Sequence, residues 1–340
     1  MPHTFNVSLF EAGIFTLNTP ASFEAAALQI FRQQAQKCAP YQAFLHYLKT
    51  DISQISRIEQ IPFLPVEVFK THKVVTQFYP DAPAADNSPI VFTSSGTTGQ
   101  AVSKHYVQNV LLYEHSFMRG FEHFYGPVNQ YCVLALLPAY LERQGSSLVY
   151  MAQHLIEKSG HKQSGFYLYN TKQLAQTLSQ LTTQKQPILL LGVSFALLDF
   201  AQQYPQPLPF TIIMETGGMK GRHREITRPE LHKILQTAFN RPNIHAEYGM
   251  TELLSQAYSL GNGLFTCPPW MRVLPRNVND PLDNNAYHQT SGLNIIDLAN
   301  IHACSFIATQ DLGKVYANNQ FEVLGRFDYS DVRGCNLMLS

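Results

Sequence analysis

Three apolar runs of strand length constrain the fold of this chain more than any other feature of its sequence. They read YCVLALLP (131–138), PILLLGVS (187–194) and FTIIMETGG (210–218), without alternating polar residues. Strands that are apolar throughout are typical of parallel sheets covered by helices on both faces. Between the first two runs lie SSLVYMAQHLIEK and TKQLAQTLSQLTTQ, which have the period of amphipathic helices. The alternation predicts an α/β fold with a largely parallel sheet.

The same alternation extends over most of the chain. PIVFTS (89–94) is expected to be its first strand and NIHAEYGM (243–250) its last. After about residue 264 the sequence changes to short β-like segments, which predicts a β-rich part over 264–327. We therefore expect residues 1–327 to form one large domain and residues 328–340 to form a hinge and a short tail.

The composition excludes several classes of protein. Hydrophobic residues make up 45% and charged residues 14% of the 340 residues, as in a globular domain with a large core. Lys plus Arg and Asp plus Glu both total 24, so the basic excess of a nucleic-acid-binding protein is absent. The five cysteines are odd in number and widely spread, which argues against a disulfide framework. The longest apolar stretch, PILLLGVSFALLDFA, is shorter than the roughly 20 residues of a transmembrane helix, and we expect a cytoplasmic protein.

A loop rich in glycine and hydroxyl groups follows PIVF. It contains, without a charged residue, Ser94, Ser95, Gly96, Thr97, Thr98 and Gly99. Ligands of open α/β sheets bind at the carboxyl ends of strands, and such a turn can wrap phosphate oxygens with N–H groups and hydroxyls. It is not a Walker A loop, because GxxxxGK[ST] is absent. A plain surface loop has the same composition.

A second motif, EYGMTEL (247–253), closes the last strand of the alternation. Tyr248 offers a ring for a nucleobase, Gly249 a close backbone approach and Thr251 a hydroxyl for a phosphate. Glu252 offers the hard oxygen ligand that Mg²⁺ prefers. The alternative is an ordinary strand-to-helix turn in which Thr251 caps the helix.

Three further motifs end in residues suited to a nucleotide. METGGMKG places Gly217 and Gly218 at a strand end, where a planar base can approach the backbone; a tight turn is the alternative. TQDLGKV predicts a β turn in which the Asp311 carboxylate can bind ribose hydroxyls, although most such stretches are only turns. LGRFD contributes Arg326, which is equally compatible with a surface ion pair.

In their order along the chain, these five motifs resemble those of the adenylate-forming (acyl-activating) superfamily. The closing sequence, FEVLGRFDYSDVRGCNLML, is similar to that of the acyl-protein synthetases, the fatty-acid-activating ligases of bacterial bioluminescence operons and their relatives. The resemblance covers roughly residues 60–340. It implies the large domain of the adenylate-forming fold, with the small C-terminal domain truncated to a short tail.

The resemblance also implies an activity. ATP and a fatty acid would form an acyl-adenylate, and the acyl group would pass to a protein cysteine that matches Cys335, for delivery to a partner such as an acyl reductase. The loop Ser94–Gly99 would hold phosphates, and Gly217, Gly218 and Tyr248 would surround adenine. Thr251 and Glu252 would serve the α-phosphate and Mg²⁺, Asp311 the ribose, and Arg326 the nucleotide near the hinge.

The chain departs from the superfamily pattern at two points. The resemblance leads us to expect that the C-terminal domain with its adenylation lysine is missing, and Gln100 stands where many members have a lysine that closes the phosphate loop. Lys104 is the nearest cation in the sequence and is a candidate for contact with the phosphates or the acyl carboxylate; an exposed lysine is the alternative.

Two other functions are compatible with the same motifs. Transfer of the acyl group to coenzyme A or to a carrier-protein thiol would make the chain an acid–CoA or acid–carrier ligase. A non-catalytic subunit that binds nucleotide or an acyl chain is the third possibility.

Overall fold

The computed structural model describes the chain over residues 5–78, 90–94, 101–137, 145–217, 226–278, 280, 282–284 and 286–327. Within these ranges the α-helices are α1 (Val7–Ile14), α2 (Pro20–Lys37), α3 (Ala39–Tyr47), α4 (Val68–Thr71), α5 (Val110–Tyr125), α6 (Ser147–Ser159), α7 (Thr171–Thr183), α8 (Ser194–Gln203) and α9 (Arg228–Phe239). Several begin at a side chain that accepts a hydrogen bond from the first turn, as the Thr19 and Thr227 hydroxyls do. No helix in these ranges combines the length and apolarity that crossing a bilayer requires.

The strands of the described residues include both long and very short ones. They are β1 (Leu64–Pro65), β2 (Ile90–Thr93), β3 (Lys104–Val107), β4 (Cys132–Leu136), β5 (Gly165–Phe166), β6 (Ile188–Val193), β7 (Thr211–Thr216), β8 (His245–Tyr248), β9 (Ala257–Ser259), β10 (Leu264–Thr266), β11 (Met271–Arg276), β12 (Thr290–Asp297), β13 (Phe306–Val315) and β14 (Gln320–Arg326). All residues of β4 and β6 are buried, as their apolar sequences predict.

Twelve of these strands form one continuous sheet. Its order is β11-β12-β13-β14-β10-β9-β8-β7-β6-β4-β5, and β1 pairs with β13. The strands from β5 to β8 pair in parallel, whereas pairing from β8 through β9 and β10 to β11 is antiparallel. The predicted α/β fold, with a parallel part and a β-rich C-terminal part, is therefore confirmed. The two parts meet at β8.

The first strand of the predicted alternation does not belong to this sheet. β2 forms a separate two-stranded antiparallel sheet with β3, in which Thr93 lies opposite Lys104. β3 was not predicted, because KHYV is too short and too polar to show a strand pattern. The glycine-rich loop therefore connects the strands of a hairpin and does not follow a strand of a parallel sheet.

Helix α8 was also missed, for the opposite reason. It begins at Ser194, directly after β6 ends at Val193, and no side chain caps it. Strand and helix are buried along most of their length, so PILLLGVSFALLDFA shows neither a polar break nor a change of period. Sequence periodicity cannot separate a buried strand from a buried helix in such a run.

Helices cover both faces of the parallel part of the sheet. Glu215 and Thr216 are consecutive in β7 and point to opposite faces. Glu215 accepts a hydrogen bond from Arg228 of α9 at 2.7 Å, which puts α9 on its face. Thr216 donates a hydrogen bond to Glu247, and this carboxyl is close enough to Tyr113 of α5 to raise the pKa of the phenol, after burial itself. The face of Thr216 is therefore the face of α5.

We predict that Gly313→Ala strongly destabilises the fold. Gly313 lies next to a β-bulge in β13, and a Cβ atom there would lie 2.1 Å from the carbonyl oxygen of Glu322. The backbone of β13 or β14 must move, which costs about 1–3 kcal/mol for a buried overpacked site. Thermal or urea unfolding measures this loss. Gly165→Ala in β5, where a Cβ would meet nothing within 4 Å, is the matched control and should unfold like the wild type.

Candidate active site

The candidate site lies where β7 and β8 end. Thr216 and Glu247 are neighbours in the parallel register, and each is followed within two residues by an exposed glycine, Gly217 or Gly249. Gly217 has a φ of 72°, a left-handed conformation that favours glycine. The backbone is thus exposed at the carboxyl ends of β7 and β8, which we call this edge of the sheet. A site that receives a planar or anionic ligand requires such exposed backbone. Gly218 lies outside the described residues.

Tyr248 joins this edge to the antiparallel part of the sheet. Its hydroxyl donates a hydrogen bond to Asp311 Oδ2 at 2.7 Å, and its ring has edge contacts with Phe265 and Phe321. Burial, together with the Asp311 carboxylate, raises the pKa of Tyr248 well above its ordinary value. Tyr248 is therefore a fixed neutral donor.

Asp311 and Arg326 form a half-buried ion pair. They lie opposite each other in β13 and β14, with Arg326 Nε 2.9 Å from Asp311 Oδ1. The prediction that Asp311 lies in a β turn is wrong, because β13 runs without interruption through the bulge at Gly313. The Asp311 side chain is 7% exposed and that of Arg326 is 51% exposed, so the pair is not confined to the surface. The Arg326 guanidinium is therefore the part of the pair that solvent or a ligand can reach.

The base of the glycine-rich loop contacts the EYGMTEL motif. Ser94 N–H donates to the carbonyl of Ser103 at 3.1 Å, and Ser103 N–H donates to Ser94 Oγ at 2.9 Å. The buried Ser103 side chain lies near the Glu252 carboxyl, where it opposes the rise in the pKa of Glu252 that burial causes. Ser95, Gly96, Thr97, Thr98 and Gly99 lie outside the described residues. Ser94 and Ser103, which flank these residues, therefore lie close to Glu252.

A buried histidine strengthens this junction. His105 of β3 contacts the carbonyl of Thr251 through Nδ1 at 2.8 Å and Asn300 Oδ1 through Nε2 at 3.0 Å. The Asn300 amide in turn donates to the carbonyls of Glu252 and Cys304. Both partners of the His105 ring are acceptors, so both bonds are complete only in the imidazolium, which burial disfavours by lowering its pKa to about 4. The hairpin and the turn after β8 are thereby held together.

Glu252 is suited to one cation ligand. Its side chain is 5% exposed, and burial raises its pKa although Ser103 and Arg326 oppose the shift. In the described ranges, no group of three His, Cys, Asp or Glu side chains could hold a metal ion. Mg²⁺ usually takes one or two carboxylates and completes its shell with water and substrate phosphates. The single carboxylate of Glu252 could serve as one ligand in that mode.

Several buried polar residues of this region were not predicted. Glu247 and Gln256 lie beside Gly249, and His105 and Asn300 lie beneath Thr251 and Glu252. Glu247 stands inside the EYGMTEL motif, which was the available signal. The other three occur in stretches without a recognisable pattern.

One predicted residue, Lys104, is not brought into this cluster, and another, Cys335, cannot be placed relative to it. Lys104 is exposed at the start of β3, and the described residues show no contact between its side chain and Thr251, Glu252 or Asp311. Cys335 lies outside the described residues. The alternative interpretation of EYGMTEL, a strand-to-helix turn with Thr251 as a cap, is wrong, because β8 is followed by an irregular turn and the antiparallel strand β9.

This architecture is that of the adenylate-forming enzymes. An open conformation of 2-hydroxyisobutyryl-CoA ligase in complex with 2-HIB-AMP and CoA matches 92% of this chain and 72% of its own, with a TM-score of 0.66 and 12% identity. The same ligase in the thioesterification state matches 96% of this chain and 70% of its own, with a TM-score of 0.62 and 12% identity. ATP-bound MatB from Rhodopseudomonas palustris matches 71% of this chain, with a TM-score of 0.54 and 13% identity.

These similarities concern the fold. The chain spans about half the length of MatB, of which 49% is covered. No protein-family model and no curated protein sequence matches the chain.

We predict a pH-dependent contribution of Glu247 to stability. Burial raises its pKa from 4.5 to about 7, while the hydrogen bond from Thr216 opposes the shift. The folded state then binds a proton that the unfolded state releases, so this contribution is fully present below pH 4.5 and is lost as the pH rises through 7. The expected loss is about 3 kcal/mol. Urea unfolding of the wild type minus Glu247→Gln between pH 4 and 8 isolates it, and a flat difference would contradict the prediction.

Proposed function

We propose that the protein activates a carboxylic acid by transferring AMP from ATP to it, and then passes the acyl group to a thiol. The single observation that carries this proposal is the convergence of Tyr248, Asp311 and Arg326 on one side and Glu252 and Ser94 on the other. Residues from four distant stretches meet at one sheet edge, with hydrogen-bond donors, carboxylates and a guanidinium around exposed glycines. The adenylate-forming fold supports the same conclusion.

The nucleotide would lie along this edge. Gly217, Gly218 and the ring of Tyr248 would border adenine, the Asp311 carboxylate would accept bonds from the ribose hydroxyls, and Arg326 would offset phosphate charge. The Tyr248 hydroxyl already occupies Asp311 Oδ2 and Arg326 occupies Oδ1, so the carboxylate is held in one orientation before ligand arrives. Preorganisation of this kind lowers the cost of ordering the site on binding.

In the first step, a carboxylate oxygen of the acid attacks the α-phosphorus of ATP. An acid–AMP anhydride forms as the bond from the α-phosphorus to pyrophosphate breaks. Ser94 to Gly99 and Thr251 would hold phosphate oxygens in line, with Lys104 as a candidate cation near the phosphates or the carboxylate. Catalysis then consists mostly of positioning and of neutralising charge. Mg²⁺, when bound at Glu252, would supply positive charge to the phosphates.

In the second step, a thiolate attacks the acyl carbon, the thioester forms and AMP leaves with the electron pair of the C–O bond. The sequence resemblance favours a fatty acid as the substrate and Cys335 as the thiol. The acyl-protein would then deliver its acyl group to a partner such as an acyl reductase. Arg333 lies two residues before Cys335 and would favour the thiolate.

A second candidate function is an acid–CoA ligase. It is favoured by the similarity to 2-hydroxyisobutyryl-CoA ligase bound to 2-HIB-AMP and CoA over 92% of this chain. In that case the acyl group leaves on a free thiol and Cys335 is dispensable. Release of acyl-CoA that is unaffected by Cys335→Ser distinguishes the two functions.

We predict that Asp311→Asn lowers kcat/KM for ATP about 10- to 100-fold, because it weakens charge-assisted hydrogen bonds to Arg326 and to the ribose. The measurement is acid-dependent exchange of labelled pyrophosphate into ATP across acids of graded chain length. Asp280→Asn, in an exposed loop, is the matched control and should exchange like the wild type. Nucleotide binding without exchange for any acid would instead indicate a non-catalytic subunit.

We also predict that incubation with ATP and a labelled fatty acid leaves a hydroxylamine-sensitive label on the protein, and that Cys335→Ser abolishes it. Cys267→Ser is the matched control, since Cys267 is partly buried and burial raises the pKa of its thiol, which disfavours the reactive thiolate. Gel fluorography or mass spectrometry of the labelled chain measures the result. Undiminished labelling of Cys335→Ser would exclude this cysteine as the acceptor.

A further inference from the structure

Glu247 and Gln256 form a buried polar pair that the proposed nucleotide contacts do not use. Thr216 Oγ1 donates to Glu247 Oε2, and Glu247 Oε1 has no hydrogen-bond partner among the described residues. The Glu247 carboxyl is 7% exposed and carries no ion pair there. Its partner strand β7 supplies a hydroxyl but no cation. One acceptor of a buried carboxyl is thus left open.

Gln256 is unsatisfied in the same place. It is 5% exposed, and its Oε1 atom is fully buried without a hydrogen bond in the described part of the chain. A buried amide oxygen without a partner costs about 1–3 kcal/mol, so proteins seldom retain one without a use. A leucine or methionine side chain has no polar oxygen and would not carry this cost.

The two side chains converge on Gly249. A Cβ atom placed on Gly249 would lie 2.6 Å from Glu247 Oε1 and 3.4 Å from Gln256 Cγ. Gly249 itself is exposed at the strand end. The open acceptor of Glu247 therefore lies directly beside backbone that a ligand can reach, and the Gln256 side chain packs against the same backbone.

The pair faces away from the proposed nucleotide contacts. Glu247 and Tyr248 are consecutive in β8, so Glu247 points to the face opposite the Tyr248–Asp311 hydrogen bond. Tyr258 lies opposite Glu247 in the antiparallel register and shares its face. Gln256 directly precedes β9, and its side chain lies beside the Gly249 position that Glu247 also borders. Tyr113 and Tyr125 of α5 adjoin the same carboxyl. The Glu247 and Gln256 side chains thus provide hydrogen-bond acceptors in a largely aromatic environment.

We propose that Glu247 and Gln256 form a subsite for an O–H or N–H donor on the acyl chain of the acid substrate. The substrate class is then a hydroxy- or amino-substituted acid, with the substituent near the carboxyl group. This inference rests on the proposed function and names the acid that the same site activates. A plain alkyl chain would leave both acceptors desolvated and unpaired, and sites that hydrogen-bond a substrate group discriminate strongly against analogues that lack it.

The test is pyrophosphate exchange with matched pairs of acids that differ only by a hydroxyl on carbon 2 or 3, at three chain lengths. The wild type should prefer the hydroxylated member by at least about tenfold in kcat/KM. Gln256→Leu and Glu247→Gln should each reduce this ratio by about tenfold. Glu122→Gln, exposed on α5, is the control and should keep the ratio of the wild type.

A stability readout separates this subsite from a structural role. Because Gln256 has no partner among the described residues, Gln256→Leu should unfold at the same temperature as the wild type or a higher one. A lowered unfolding temperature with an unchanged acid ratio would show a structural role and overturn the inference.

The other outcomes are also decisive. Exchange at equal rates with both members of each pair overturns the inference and leaves the proposed function intact. If none of the acids supports exchange, both the proposed function and the inference are overturned. In a parallel arm, a purine nucleotide without the exocyclic amine replaces ATP. Suppose that Gln256→Leu slows exchange with ATP even for acids without a hydroxyl, and that it no longer does so with the amine-free nucleotide. The hydrogen-bond donor is then the adenine base and not the acid, and the inference is wrong.

Discussion

The structure depends on how the buried backbone between β8 and β9 is satisfied. No helix or strand covers residues 249–256, although most of them are buried. Asp297 compensates: its carboxylate accepts from the N–H groups of Leu254, Ser255 and Ala299 and from the Ser255 hydroxyl. Asn300 compensates at the other end through the carbonyl of Glu252. Unpaired groups in this turn would cost about as much as lost hydrogen bonds. Two side chains, one at the end of β12 and one in the turn that follows it, thus fix the backbone that presents Thr251 and Glu252.

This dependence explains which parts of the site were predictable. Apolar strands such as β4 and β6 are specified by local sequence, and the order of short motifs indicated the fold class correctly. The contacts that Asp297 and Asn300 make with the turn after β8 are specified by tertiary structure, because Leu254, Ser255 and Glu252 lie more than 40 residues away in the sequence. A single Asp or Asn in an apolar stretch carries no local sign of what it will bind. Asp311 was misjudged for a related reason: the sequence DLG is typical of a turn, and only pairing with β12 and β14 keeps it in a strand.

Charge is distributed asymmetrically across the parallel part of the sheet. Glu215 on one face has an Arg228 ion pair at 2.7 Å, whereas Glu247 on the other has a threonine hydroxyl and tyrosine rings. Two carboxyls on neighbouring strands therefore differ in their readiness to lose a proton, and burial raises the pKa of Glu247 to about 7. In the sequence, both residues are glutamates near the ends of apolar strands, and nothing local distinguishes them. Only the tertiary structure distinguishes Glu215, which has an ion pair, from Glu247, whose carboxyl has an unused acceptor.

The order of the strands has a consequence for synthesis of the chain. β14, at residues 320–326, lies between β13 and β10 in the interior of the sheet. During translation, β10 has paired with β9 on one side only, and its other edge stays open for more than 50 further residues. An open edge of this kind can pair with another chain. The ribosome must therefore release nearly all of the described residues before this seam can close, and slow elongation there would favour aggregation over native assembly.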